Sequence, residues 1–171
     1  MQISIASCTV ALQHLITAAL SAERGVSANE LLADLQASDH LRDGPAALDS
    51  LDQLAVARKV TEFFKLEKTG AEELLLRRHQ LSQWSELICE NLNDGTLSHI
   101  WFRSGGTTGE PKLVAQSLDH LLSEVREISD LVRNTKRIIA LVPLHRDIAR
   151  IAEKVSLPGT LAEITPYRWA P

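Results

Sequence analysis

The chain has 171 residues, 44% of them hydrophobic and 23% charged, with a formal net charge of −4. This is the composition of a soluble globular protein with room for one domain or two small ones, and its acidic balance gives no reason to expect nucleic acid as a partner. No stretch is long and apolar enough to span a bilayer, and the Ala/Ile/Leu-rich start lacks a basic n-region and is interrupted by Gln13 and His14, so a cytoplasmic chain without membrane association is expected.

In chain order, Val10, Ala11, Leu15, Ile16, Ala18 and Ala19 form an apolar stripe that predicts a helix over 10–22, stopped by Gly25. Ser27 with Glu30 three residues on has the capping-box pattern and opens a short helix or turn over 28–35. A polar loop over 39–46 is punctuated by Gly44 and Pro45. Asp49 is a suitable cap for a helix over 48–64, on which Leu51, Leu54, Ala57, Val60 and Phe64 recur at helical spacing. The turn cluster at 91–95 marks a boundary.

The segment Asp49-Ser50-Leu51, preceded by an apolar helix and a long loop, resembles the start of the second helix in acyl and peptidyl carrier proteins; the resemblance implies a third helix around 72–75 and a fourth over 81–88, with Ser82 a suitable cap there. That resemblance implies a phosphopantetheine on Ser50, attached by a phosphopantetheinyl transferase. A phosphodiester at a helix N-terminus is favoured by the helix dipole, and Asp49 and Asp52 would help dock a basic partner. Alternatively, Asp49 and Ser50 only cap a helix. Ala47 stands where carrier proteins usually place a glycine, two residues before the aspartate.

Beyond the boundary the expected order is strand (99–103), loop, strand (112–116), helix (118–133) and strand (137–145). The helix begins after Ser117 and carries the stripe Leu118, Leu121, Leu122, Val125, Ile128, Leu131 and Val132. The continuous apolar run from Ile138 to Leu144 suits a buried parallel strand. The loop reads Ser104-Gly105-Gly106-Thr107-Thr108-Gly109-Glu110-Pro111-Lys112. Glycines there allow close backbone approach, successive N–H groups make an anion site, and hydroxyls and a lysine add donors and charge. The chemistry is that of a phosphate cradle. It is not a Walker A loop, because Pro111 separates the lysine from Gly109.

This loop is similar to the phosphate-loop signature of the adenylate-forming superfamily, Thr-Ser-Gly-Ser/Thr-Thr-Gly-x-Pro-Lys. Gly106, Thr107, Thr108, Gly109, Pro111 and Lys112 match, while Ser104 replaces the usual Thr and Gly105 the usual Ser. The resemblance implies ATP-dependent activation of a fatty or aryl carboxylic acid as acyl-AMP, with Ser104, Gly105, Gly106, Thr107, Thr108, Gly109 and Lys112 around the phosphates and Mg²⁺ assisting. It stops at His145: nothing further on resembles the adenine-binding Tyr-Gly-x-Thr-Glu segment, the ribose-binding aspartate or the C-terminal lysine of that superfamily.

The expected fold class is therefore α+β: a carrier-protein-like helical bundle over 1–93, then a truncated α/β fragment of the adenylate-forming fold over 94–171. The expected activity is that of an acid-activating ligase, with no catalysis by this chain alone; the alternatives are a carrier module modified on Ser50 and an inactive truncated product. Other candidates carry less. The six histidines show no pairing at i, i+3 or i, i+4, so no metal site is expected, and no Gly-x-Ser-x-Gly elbow is present. Cys8 and Cys89 are expected to be reduced, packed thiols, Trp84 and Trp101 core residues, and Arg77-Arg78-His79 and 124–127 solvated helix faces.

Overall fold

Ser4 opens the first helix, its Oγ accepting from the Ser7 N–H at 3.1 Å. The computed structural model describes residues 2–25, 35–44, 46–103, 112–132, 137–140 and 163–166. Helix α1 (Ile5–Arg24) starts earlier than the stripe alone predicts, because Ser4 supplies the cap. It ends where Gly25 takes φ +66° and donates its N–H to the Ser21 carbonyl. The expected Ser27–Glu30 capping box lies outside the described residues.

The chain divides into two compact units, 1–117 and 118–171, and its fold class is α+β. In the first unit, α1 is followed by α2 (Ser50–Phe64), a 3-10 turn (Leu66–Lys68), α3 (Ala71–Arg77), α4 (Leu81–Asn93), β1 (His99–Arg103) and β2 (Leu113–Ser117). Helix α1 packs on α4 and α2, and α2 packs on α3 and β1. The core holds Leu12, Ile16 and Leu20 of α1, Val56 and Phe64 of α2, and Leu81, Trp84 and Ile88 of α4. Their burial from water is the main stabilising term. Trp84 is fully buried and its Nε1–H donates to the Arg78 carbonyl at 2.9 Å, so its one polar atom is satisfied.

Three expectations are corrected here. The α2 stripe is shifted: Leu51 and Leu54 are 76% and 55% exposed, while Gln53, Val56, Ala57, Val60, Phe63 and Phe64 face inward. Gln53 is tolerated there because its Nε2 donates to the Leu76 carbonyl and its Oε1 accepts from Arg42 Nε. Helix α4 is capped by Gln80, not Ser82. Gln83 Oε1 reaches back to the Gln80 N–H, and Ser82 sits inside the first turn with its N–H donating to the Ala37 carbonyl. Trp101 is not a core residue; it is half-buried, with Lys65 Nζ 5.0 Å from its ring centroid.

In the second unit, α5 (Leu118–Val132) keeps Asp119, His120, Glu124, Arg126 and Glu127 exposed, with Leu118, Leu121, Leu122 and Val125 half-buried. Strand β3 (Arg137–Ala140) pairs in parallel with β4 (Glu163–Pro166), Arg137 opposite Glu163 and Ala140 opposite Pro166. The parallel pairing expected of the apolar run is thus present over 137–140; its continuation to His145 lies outside the described residues, and β4 was not anticipated. No helix among the described residues is long and apolar enough to cross a membrane.

Candidate functional site

Strands β1 and β2 form an antiparallel hairpin whose register runs from His99 opposite Ser117 to Arg103 opposite Leu113. The paired ends Arg103 and Leu113 therefore bracket the nine-residue stretch 104–112. Ser104, Gly105, Gly106, Thr107, Thr108 and Gly109, with Glu110 and Pro111, lie outside the described residues. Lys112 is described: it is exposed and stands immediately before β2.

The base of this hairpin is held on α2. Arg103, the last residue before the loop, donates from Nε and Nη2 to the two carboxylate oxygens of Glu62 at 2.6 and 2.8 Å. The hydrogen bond from Arg103, with its charge and those of Lys65 and Lys59, holds the Glu62 carboxyl below its ordinary value. Glu62 raises the Arg103 pKa in return. Phe102 meets Phe63 edge-to-face, with centroids 5.3 Å apart. Lys65 closes the set over Trp101, from a left-handed backbone at φ +55° that ends α2. The Arg103 guanidinium is thus occupied by Glu62, and Lys112 is the cation at the other stem of the loop.

Ser50 lies elsewhere, exposed at the first position of α2. Asp49 Oδ1 accepts from the Leu51 and Asp52 N–H groups, both at 2.8 Å, and Asp52 Oδ2 accepts from the Asp49 N–H at 3.2 Å. This is a reciprocal capping box. Asp52 is also bonded to Arg24 Nη2, while Arg24 donates to the Ala46 and Ala47 carbonyls at 3.0 and 3.1 Å. The Arg24 hydrogen bond, ahead of the Asp49 N–H, lowers the Asp52 pKa against its partial burial. Asp52 is therefore engaged inside the protein, which corrects the expectation that it docks a basic partner. Neither Glu62 nor Arg24 stood out in sequence; their partners are 41 and 28 residues away.

Among the described residues the histidines are scattered, apart from His40 and His79, whose ring centroids are 5.7 Å apart. Among the described residues no group of three or more His, Cys, Asp or Glu is arranged to hold a metal ion.

No protein-family model matches the chain, and no solved structure matches it. The chain is similar to curated proteins named 4-coumarate--CoA ligase. It is 32% identical over 135 residues to that of Halorhodospira halophila, a match covering 78% of this chain and 34% of the relative. It is 33% identical over 103 residues to that of Cereibacter sphaeroides, covering 57% of this chain and 25% of the relative. With that of Rhodobacter capsulatus the identity is 24% over 194 aligned positions, covering 92% of this chain and half of the relative. A match over 92% of the chain takes in most of residues 1–93 as well as the hairpin. The chain thus spans between a quarter and a half of the length of these relatives, and is homologous over most of its own length to part of them.

Proposed function

We propose that this chain is part of an ATP-dependent adenylate-forming ligase, and that the stretch from Ser104 to Lys112 holds the β- and γ-phosphates of ATP. The reading is supported by the composition of this Gly/Thr/Lys stretch between the paired strands β1 and β2, in a chain similar to proteins named 4-coumarate--CoA ligase. The hydroxyls of Ser104, Thr107 and Thr108, the backbone N–H groups around Gly105, Gly106 and Gly109, and the Lys112 ammonium form a donor set suited to a polyphosphate. Mg²⁺ bound with the ATP would supply positive charge to balance the leaving pyrophosphate.

In the whole ligase, a carboxylate oxygen attacks the α-phosphorus, pyrophosphate leaves and an acyl-adenylate forms; a thiol then takes the acyl group and releases AMP. The relatives' name points to an aryl acid such as 4-coumarate and to CoA as the thiol. The contribution of this chain is to bind the phosphates and to balance charge on the departing pyrophosphate. Residues 1–93 serve as the helical support and 94–171 as the portion of the ligase domain that carries the loop. We expect phosphate binding without turnover by this chain alone. Calorimetry with Mg-ATP tests the binding, and acid-dependent ATP–pyrophosphate exchange tests the turnover; heatless titration refutes the first, and exchange above background refutes the second.

One alternative has an observation in its favour. Ser50 is exposed at the N-terminus of α2, and Leu51 and Leu54 beside it are exposed too, which suits a carrier modified with phosphopantetheine. Intact mass after incubation with CoA and a broad-specificity phosphopantetheinyl transferase decides it: a phosphopantetheine-sized gain that Ser50→Ala abolishes supports the carrier, and an unchanged mass excludes it.

A further inference from the structure

Cys8 lies in the first turns of α1 and Cys89 in the last turns of α4, and the two helices run antiparallel against each other. The antiparallel order is set by contacts along the pair: Ile3 with Asn93 and with Cys89, and Thr9 with Ser85. Small residues line this seam. Thr9 Oγ1 donates to Ser85 Oγ at 2.8 Å, and Ser85 Oγ donates to the Leu81 carbonyl at 2.9 Å. Small side chains let helix axes approach more closely than leucine-lined pairs do. Cys8 precedes Thr9 in this seam and Cys89 lies one turn beyond Ser85, so the antiparallel pair brings the two thiols to the same level, both buried and both free.

The end of the pair is covered by residues 2–4. The Ile3 N–H donates to Asn93 Oδ1 at 2.8 Å, and the Ile3 carbonyl accepts from Asn93 Nδ2 at 2.9 Å and from Cys89 Sγ at 3.3 Å. Asn93 Nδ2 also lies 3.3 Å from Cys89 Sγ, an N–H directed at the sulfur. Gln2, Ser4 and Ile5 are exposed, and half-buried Ile3 of this short strap lies against Cys89.

We propose that Cys8 and Cys89 form a dithiol pair that closes to a disulfide between α1 and α4 on exchange with a low-molecular-weight disulfide. When the strap opens, the Cys89 thiolate attacks one sulfur of the oxidant, breaks its S–S bond and releases one thiolate. The Cys8 thiolate then attacks the Cys89 sulfur of the mixed disulfide and releases the second. The two protein protons end on the two released thiols; the protein is oxidised by two electrons and the oxidant is reduced by two. While the strap is closed, burial and the neighbouring Cys89 push the Cys8 thiol up to about 12, which keeps it protonated and unreactive. The inference does not depend on the ligase reading.

The full chain incubated with oxidised glutathione, quenched in acid and weighed intact, tests it. The expected product is a chain lighter by about 2 Da, whose digest joins the Cys8 and Cys89 peptides and whose urea midpoint lies above that of the reduced chain. Cys8→Ala and Cys89→Ala should each take up one glutathione instead; the joined peptides of the unmodified sequence make the test independent of how the variants fold. A chain carrying two glutathiones overturns the proposal. So does a disulfide between chains, a folded chain left unmodified where the urea-unfolded chain is oxidised, or a bridged chain with a lowered midpoint.

Discussion

Glu62 of α2 and Arg103 of β1 are joined by two parallel hydrogen bonds, which clamp the residue next to the candidate phosphate loop onto the helical section. Side-chain exposures of 25% and 60% put the pair near the surface, so its contribution to stability is about 0.5–1 kcal/mol. Glu62→Gln should lower the urea midpoint at about pH 7 by that modest amount. The pH dependence has a definite sign. A carboxyl whose folded pKa is depressed contributes stability that is complete above its ordinary value of 4.5 and is lost as pH falls through the lower folded value. The gap between Glu62→Gln and the unmodified chain should therefore be full above 4.5 and narrow as pH falls below it. A gap that does not narrow on acidification would show that the carboxylate charge is not what holds Arg103.

Arg24 should matter more. Asp52 is only 12% exposed, and Arg24 supplies its charged partner while also holding two carbonyls of the turn before α2. Arg24→Gln leaves a largely buried carboxylate with the Asp49 N–H alone. It should destabilise the fold by about 1–3 kcal/mol. The Asp52 pKa is depressed in the folded state, so the loss should be full above its ordinary value of 3.8 and shrink as pH falls below it. Denaturant unfolding of the two chains across that range is the measurement.

These two pairs mark where reading the sequence succeeds and where it stops. Asp49 as a cap, Gly25 as a stop and the apolar run at 137–140 as a parallel strand are legible, because each rests on chemistry within a few residues. The strands β1 and β2 are legible for the same reason, as β-prone runs on either side of a Gly-rich stretch, whereas their pairing with each other comes from the structure. The α2 face is not. Period alone fits both the Leu51/Leu54 side and the Gln53/Val56 side, and packing against α1, α3 and β1 selects the second. Glu62–Arg103, Arg24–Asp52 and Cys8–Cys89 join residues far apart in the chain, and no local pattern announces them. The candidate loop, by contrast, was found from its own composition, and its stems are what the structure adds.

Ala47 offers a test of backbone strain. It has φ +43°, in the left-handed region where a Cβ is unfavourable, at the position where the carrier resemblance has glycine. Ala47→Gly should relieve about 1 kcal/mol of strain, offset in part by the larger entropy of glycine in the unfolded chain, for a net rise in stability of about 0.5 kcal/mol. Lys65→Gly makes the same change at φ +55° but removes the ammonium from Trp101, so it should gain less or lose. Gly44→Ala should go the other way. A Cβ there would sit 2.5 Å from the His40 carbonyl oxygen, which belongs to the turn closed by the Gly44 N–H, and the turn must shift at a cost of about 1–3 kcal/mol. Thermal midpoints of the three variants give the order directly.

Lys112 is the described residue on which the phosphate reading can be tested. It is exposed, immediately precedes β2, and is the cation at the stem opposite the neutralised Arg103. A lysine making a charge-assisted hydrogen bond to a phosphate oxygen contributes about 1.5–3 kcal/mol, so Lys112→Ala should weaken Mg-ATP binding by about tenfold to a hundredfold. The urea midpoint of the variant, measured alongside, separates a loss of binding from a loss of stability. Lys112→Arg keeps the charge but not the compact ammonium, and should recover only part of the affinity. Equal ATP affinity in all three chains would remove Lys112 from the binding site, and with it the assignment of this hairpin loop to phosphate.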